Sequence, residues 1–550
     1  MDKKLLIFLT VFFAFFFIYQ KFVLEPAAKK SQPQPTSSAS APNEPAQSAP
    51  APQTTQSAVS LTPPPAEATQ IQAANERKIE VDTSLYHAVF TNKGAVLTSF
   101  RLKKYTDDFS QPLEMIPQLP PGANGLPLGF DFEDKRINGV ADSAIFDVNQ
   151  DNLKIADSQR DHLQFVYSKD GYTFKKELEF IGGSYLMECK FEAYSNNNAL
   201  PLRLSWTPGL ESLGGYKDTL QVKPSGAVVN LGDKVERIAS KSVKEFKKVG
   251  ATVKWAGVEN NYFAGIFIPE NQPSDAFVNT PPATEKSDVH NVNLLLQPQA
   301  SAPMQVRMFI GPKDYVLLQH IGYELEDSVD FGRFAPITKA LFFTLKVFYG
   351  WVHNWGWAIV ILTAVIKVVF TPLTQKSFSS MKKMQVMQPE MKKIQDKYSK
   401  MKDDDPRKSN MNMEILALQK RYGVNPLSGC LPMLVQMPVL YAFWALLTNV
   451  IELRKAPFMF WLQDLSRPDP YHVVPVAMGG IMLLQQRMTP STDPMQKNMM
   501  YIMPVMFTFI SLKLQSGLVL YWLFSNLLAI LHQYYFQYTQ KVAEAKVANA

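Results

Sequence analysis

Lys367 stands inside the otherwise uncharged run WGWAIVILTAVIKVVFTPLT. A cation within a membrane span costs at least about 2.5 kcal/mol on insertion scales, so an isolated one marks a functional position by default. Thr363 lies one helical turn earlier, on the same face. Gln436, Ser525 and Asn526 fall in other long apolar stretches. Uncharged polar side chains at such positions need an inward-facing, hydrated surrounding. Together these residues suggest a wet, positively charged recess open to the cytoplasm, not a continuous pore. The same sequence admits a second reading of Lys367. It falls in the inner half of its run, and its four-carbon stem is long enough to snorkel to the inner interface.

The missing residue types narrow the function further. No Asp or Glu lies in the core of any apolar stretch, which argues against ion-pair gating and proton-coupled transport. Cys189 and Cys430 are the only cysteines, so neither a disulfide framework nor a cysteine-based metal cluster is expected. His87, His162 and His290 are scattered without an acid and base pair. No catalytic residue, metal, cofactor or small-molecule substrate is expected.

The elements that must hold these residues follow from the texture of the chain. Aromatics make up 12% of the 550 residues and charged residues 19%, yet mean hydropathy is only -0.11. The apolar character must therefore be localised. A net charge of +7 is too small over this length to indicate nucleic-acid binding. Residues 1–24 pair Lys3 and Lys4 with an apolar run, predicting a signal anchor, with a cleaved signal peptide as the alternative. Residues 25–78 are rich in Pro, Ala, Ser and Gln and form a disordered tether. Short β-branched and aromatic runs broken by turn residues fill 79–329, an all-β sandwich placed outside by the preceding export signal. Lys169, Asp170 and Gly171 supply one of its hairpin turns.

From residue 330 the pattern changes to long apolar segments. An amphipathic helix is predicted over 330–351, lying along the outer interface. Five further spans fit 352–373, 430–451, 473–488, 499–514 and 517–535, within a core covering 352–540. With the N-terminal segment this makes six spans. Lys and Arg crowd the loop 374–429 from Lys376 to Arg421, whereas 452–470 carries only Arg454, Lys455 and Arg467. The positive-inside rule places the first loop in the cytoplasm, and both termini with it. Within that loop Met381, Met384, Met387 and Met391 recur at helical spacing, interleaved with Lys392 and Lys393. A second apolar series follows the KDDDP turn, so a helical hairpin is predicted, with a break or kink at Pro389. The methionines either pack within the hairpin or offer an adaptable surface to hydrophobic clients or the ribosome. The tail 541–550 has too few basic residues to attract ribosomal RNA strongly.

The segments GWAIVILTAVIKVVFTPLTQKSFSSMKKMQVMQPEMKKIQDKY, NPLSGCLPMLVQMPVLYAFWALL, ELRKAPFMFWLQDLSRPDP, TDPMQKNMMYIMPVMFTF and SGLVLYWLFSNLLAILHQ, in this order, resemble the core of the YidC/Oxa/Alb membrane protein insertase family. The anchor, the tether and WAGVENNYFAGIFIP resemble its Gram-negative form. The resemblance implies a polytopic α-helical membrane protein with six spans, a five-helix insertase core and a periplasmic supersandwich like that of sugar mutarotases. It also implies a bacterial inner-membrane location. The implied function is an insertase and chaperone that captures nascent membrane proteins in a cytoplasm-open groove and releases them into the lipid bilayer, alone or with the Sec translocon. Ribosome contact would run through the cytoplasmic loop. The family's groove arginine corresponds to Lys367, a point charge without arginine's planar fork. Trp522, next to Tyr521, stands where a tyrosine pair is common. Client contacts carried over by the resemblance are Met433, Met437, Leu440, Phe507, Tyr521 and Trp522. Two other classes fit the composition: a solute transporter or channel with an extracytoplasmic binding module, and a carbohydrate-active enzyme carried by the β domain.

Overall fold

The computed structural model describes residues 70–117, 125–211, 225–243, 245–279, 292–300, 303–399, 408–423, 431–488 and 494–548. The N-terminal apolar run, most of the tether, the KDDDP tip, Cys430 and the end of the tail lie outside these residues.

Strict alternation builds the β region. In Tyr172–Ile181 the side chains of Phe174, Lys176, Leu178 and Phe180 are buried while Lys175 and Glu177 between them face out. The KDG turn joins this strand to Arg160–Lys169, and Asp170 and Gly171 both have positive φ, at 51° and 80°. Two such residues give the primed turn whose twist matches that of the strands it joins. Between Lys78 and Pro312 the described strands form one ten-stranded and two five-stranded sheets. The large sheet has Phe263–Pro269, Met304–Pro312, Leu186–Ser195 and Tyr172–Ile181 as consecutive antiparallel neighbours. Close approach is required at Gly265, where a Cβ would lie 2.2 Å from the buried Trp206 ring.

The helices are α1 (Lys135–Ser143), α2 (Tyr315–Ile321), α3 (Ala335–Val352), α4 (Trp355–Ser399), α5 (Lys408–Arg421), α6 (Leu431–Asn449), α7 (Val473–Met488), α8 (Pro494–Ser511) and α9 (Ser516–Ala548). Asp314 caps α2 by accepting from the backbone N–H groups of Val316 and Leu317 at 2.9 and 3.0 Å, an arrangement worth about 1 kcal/mol. Helix α3 buries Thr338, Phe342, Leu345 and Phe348. It leaves Phe343, Val347 and Trp351 exposed, a two-faced pattern suited to an interface.

Among the described residues two helices are long and apolar enough to cross a membrane, Trp355–Met384 within α4 and Ser516–Thr539 within α9, and Tyr501–Ser511 is a shorter apolar one. Val368, Val369, Val476, Phe509 and Leu531 are exposed on these helices and on α7, side chains that water would not favour and acyl chains would. Helices α7 and α8 meet closely at Gly479, where a Cβ would lie 2.1 Å from the Thr508 hydroxyl. Small residues at such crossings let membrane helices pack without large side chains between them.

The sequence predicts a span over 352–373, a helical hairpin over 374–429 and a break or kink at Pro389. Helix α4 runs unbroken for 45 residues from the apolar run into the charged arm, with Pro372 and Pro389 both inside it. Each proline forgoes one backbone hydrogen bond, and a helix can keep its course past such a site when solvent or a neighbour takes the freed carbonyl.

A single hydrophobic cluster includes Phe263 and Phe309 of the sheets, Phe331, Phe342 and Leu345 around α3, Ile359 and Leu362 of α4, Phe443 and Leu446 of α6, and Leu520 and Tyr521 of α9. The outer ends of the helices and the β region are therefore packed as one body of apolar side chains.

Candidate functional site

Lys367 projects from α4 one turn beyond Thr363. Thr363 is fully buried, and its hydroxyl donates to the Ile359 carbonyl of the same helix at 2.7 Å. This bond consumes its donor and leaves an oxygen lone pair. Lys367 is partly buried. No hydrogen bond or ion pair ties its ammonium to any described residue. Val368 and Val369, its neighbours in sequence, are exposed, so the charge lies on the inner edge of a helix whose next face is apolar surface.

Helices α6 and α9 supply the rest. Gln436 donates from its side-chain nitrogen to the Tyr521 hydroxyl at 3.0 Å, and Ser525 hydrogen-bonds the same hydroxyl from one turn further along α9. Tyr521 is fully buried, its ring 4.6 Å from that of Phe443. A buried phenol with two partners is a fixed junction between helices. Asn526 is partly buried beside it in sequence.

Of the apolar candidates, two are brought into contact. Phe507 of α8 and Trp522 of α9 meet edge to face with centroids 5.9 Å apart, and both remain partly open. Met437 and Leu440 are likewise partly buried on α6. The Met433 side chain lies outside the described residues, as does that of Met381.

The methionines of the hairpin divide by environment. Met387 is fully buried, Met384 and Met391 are half-buried, and Lys392 and Lys393 are exposed. Leu418 of α5 is buried as well, and the arms are joined by Tyr398 and Lys397 to Glu414, at 2.8 and 2.7 Å, and by Tyr422 to Glu390 at 2.7 Å. Part of the methionine stripe is thus hairpin core. The exposed apolar side chains here are Val386, Met413 and Leu416.

Sequence reasoning passed over His532. It sits on α9 two turns beyond Ser525, its ring 5.7 Å from that of Phe378 and within reach of the Lys367 charge. Its Nε2 is buried without a hydrogen-bond partner. A histidine at the end of an apolar run was the available signal. Tyr534 and Tyr535 beside it are exposed.

The chain matches two family models in succession, the YidC periplasmic domain over residues 78–344 and the 60Kd inner membrane protein over residues 347–544. It is 37% identical to the membrane protein insertase YidC of Syntrophus aciditrophicus (strain SB), covering 97% of this chain and 99% of that one. It is 36% identical to the membrane protein insertase YidC of Geobacter metallireducens, covering 99% of this chain and all of that one. Among solved structures it is similar to an active YidC insertase with its first transmembrane domain resolved, at 17% identity and a TM-score of 0.35, over 85% of this chain and 94% of that one.

Proposed function

Because the chain belongs to the YidC family of membrane protein insertases, we propose that it inserts nascent membrane proteins by electrostatic capture at Lys367 followed by lateral release. It is an inner-membrane protein with a periplasmic β domain and a helical core, and lipid and nascent membrane proteins are what it works between. The observation that supports the mechanism is an ammonium with no partner among the described residues, one turn from the buried Thr363, in a helical core where Gln436 and Tyr521 of two other helices are hydrogen-bonded.

An acidic or polar stretch of client meets Lys367 in the recess formed with Thr363, Gln436, Ser525 and Asn526. Its hydrophobic part then lies against Met433, Met437, Leu440, Phe507 and Trp522, with Tyr521 holding α6 and α9 together behind them. Leaving this wall for lipid removes apolar surface from water at roughly 25 cal/mol per Å², so no nucleotide is needed to drive the step. Six spans with both termini in the cytoplasm complete the reading, supported by the charge asymmetry of the loops. Small clients use the insertase alone and larger ones use it beside the Sec translocon. The ribosome docks on the 374–429 hairpin through Lys392, Lys393 and their neighbours.

The test is insertion by the full-length protein in proteoliposomes, scored by protease protection. Lys367→Glu should lower insertion of a client with an acidic exported tail about tenfold or more, the scale of exchanging attraction for repulsion at a poorly solvated site. A neutral-tailed client should be affected much less, and Lys367→Arg should retain activity on both. Equal loss for the two clients would sink the capture step.

A further inference from the structure

We propose that His532 is a second capture group, which together with Lys367 holds a carboxylate of the client. The inference rests on the capture reading of Lys367 and adds a partner to it. The polar stripe of α9 runs from Tyr521 through Ser525 to His532, at spacings of four and seven residues that keep one helical face. Tyr521 and Ser525 spend their hydroxyls on each other and on Gln436. His532, two turns further toward the cytoplasmic end, has no such partner: its Nε2 is buried and unpaired.

The facing helix α4 carries both Phe378, which packs on the imidazole, and Lys367, whose charge acts on it. The Phe378 ring packs against it at 5.7 Å, and the only charge found to act on it among the described residues is that of Lys367. Among the described residues no carboxylate acts on either group. A buried polar nitrogen left unpaired is unfavourable, and the ammonium of Lys367 nearby makes an anionic acceptor the best complement. The imidazole can donate from Nε2 while the ammonium supplies point charge, a combination matched by a carboxylate oxygen pair. The partner is therefore an acidic peptide segment, and Asp or Glu in a client's exported tail is its simplest form.

The experiment uses the full-length protein in vesicles of phosphatidylethanolamine and phosphatidylglycerol, with one single-span client carrying either Asp or Asn in its exported tail. His532→Leu should lower insertion of the Asp client about tenfold, the effect of losing one hydrogen bond to a charged group, and spare the Asn client. His532→Gln keeps a donor and should restore most of the difference. Equal loss for both clients overturns the proposal in favour of a packing role. The absence of any loss overturns it as well, as does a dependence on phosphatidylglycerol content that ignores the Asp-to-Asn change, which would assign the site to lipid phosphate. Lys367→Gln is run in parallel. If it too fails to discriminate Asp from Asn, the capture reading falls with the proposal; if Lys367 discriminates and His532 does not, only the role of His532 falls.

Discussion

Lys176 and Lys367 show how differently a buried and a partly buried cation can be held in one chain. Lys176 is fully buried in the β domain. Its ammonium donates to the Leu128 carbonyl at 2.6 Å and to the Ala95 carbonyl, with the Phe130 and Phe191 ring centroids 4.9 and 5.5 Å away. These groups offset only part of the lost hydration, and burial pushes the amine down from 10.5 to about 7. In the unfolded chain the same amine keeps its proton well above pH 9. Between about pH 7 and 10 the unfolded state therefore binds the additional proton, and stability rises with pH across that window. Below pH 7 the burial penalty is present in full. Raising the pH from 7 to 9 should stabilise the β domain of the full-length protein by on the order of 1–3 kcal/mol, measured by urea unfolding followed through Trp206 and Trp255. Lys176→Met should abolish that pH dependence, and an unchanged slope in this variant would refute the assignment. Of the two lysines only Lys367 was legible beforehand, because a charge in an apolar run contradicts its surroundings. Lys176 hides in the KK doublet of an alternating strand, where one lysine must take the inward phase and nothing in composition says that it is held there by carbonyls and rings.

At the scale of elements, the hairpin arms could be read from helical spacing, but their fusion with the preceding span could not. The TPLTQK stretch combines a proline with the first basic residue after the apolar run, which locally resembles a helix end. Whether α4 continues there depends on what receives the freed carbonyls, a tertiary matter. The same limit applies to the methionines: periodicity puts them on one face without saying whether that face is covered. Met387 is buried, as is Leu418, whereas Met413 and Leu416 remain exposed. Met387→Ala should therefore cost roughly 2–5 kcal/mol of local hairpin stability, appearing as faster protease cleavage between residues 399 and 408 and faster amide exchange in α5. Met413→Ala should leave both unchanged. If the two substitutions behave alike, Met387 is not a packing residue and the stripe serves clients throughout.

Across the whole molecule, the contacts that join the β region to the helical core link residues far apart in sequence. Asn261 donates to the Thr448 carbonyl at 3.2 Å, and Asn449 donates to the Asp330 carbonyl at 2.8 Å. Arg454 donates to the Thr106 carbonyl at 2.9 Å and lies over the Phe263 ring, Lys455 reaches the Thr106 hydroxyl at 3.0 Å, and Arg467 pairs with Asp108. Neither alternation nor helical period relates a turn near residue 106 to a loop near residue 454, so this seam was invisible in the sequence. Composition even suggested the reverse, since Arg454, Lys455 and Arg467 entered the orientation argument only as a sparse outer loop. The seam attaches directly to the C-terminal end of α6, the helix that carries Gln436, Met437 and Leu440. Arg454→Ala leaves the Thr106 carbonyl without its charged donor and removes the cation from Phe263, a loss of about 2–3 kcal/mol at a partly buried site. Faster hydrogen exchange should follow at residues 103–108 and 450–456, while the central strands Tyr172–Ile181 and Leu186–Ser195 keep their protection because their antiparallel ladders do not pass through the seam. Exchange that rises uniformly over the β domain would instead mean that the domain depends on the helices for its own fold. Exchange that rises nowhere would mean that the shared apolar cluster alone holds the two parts together.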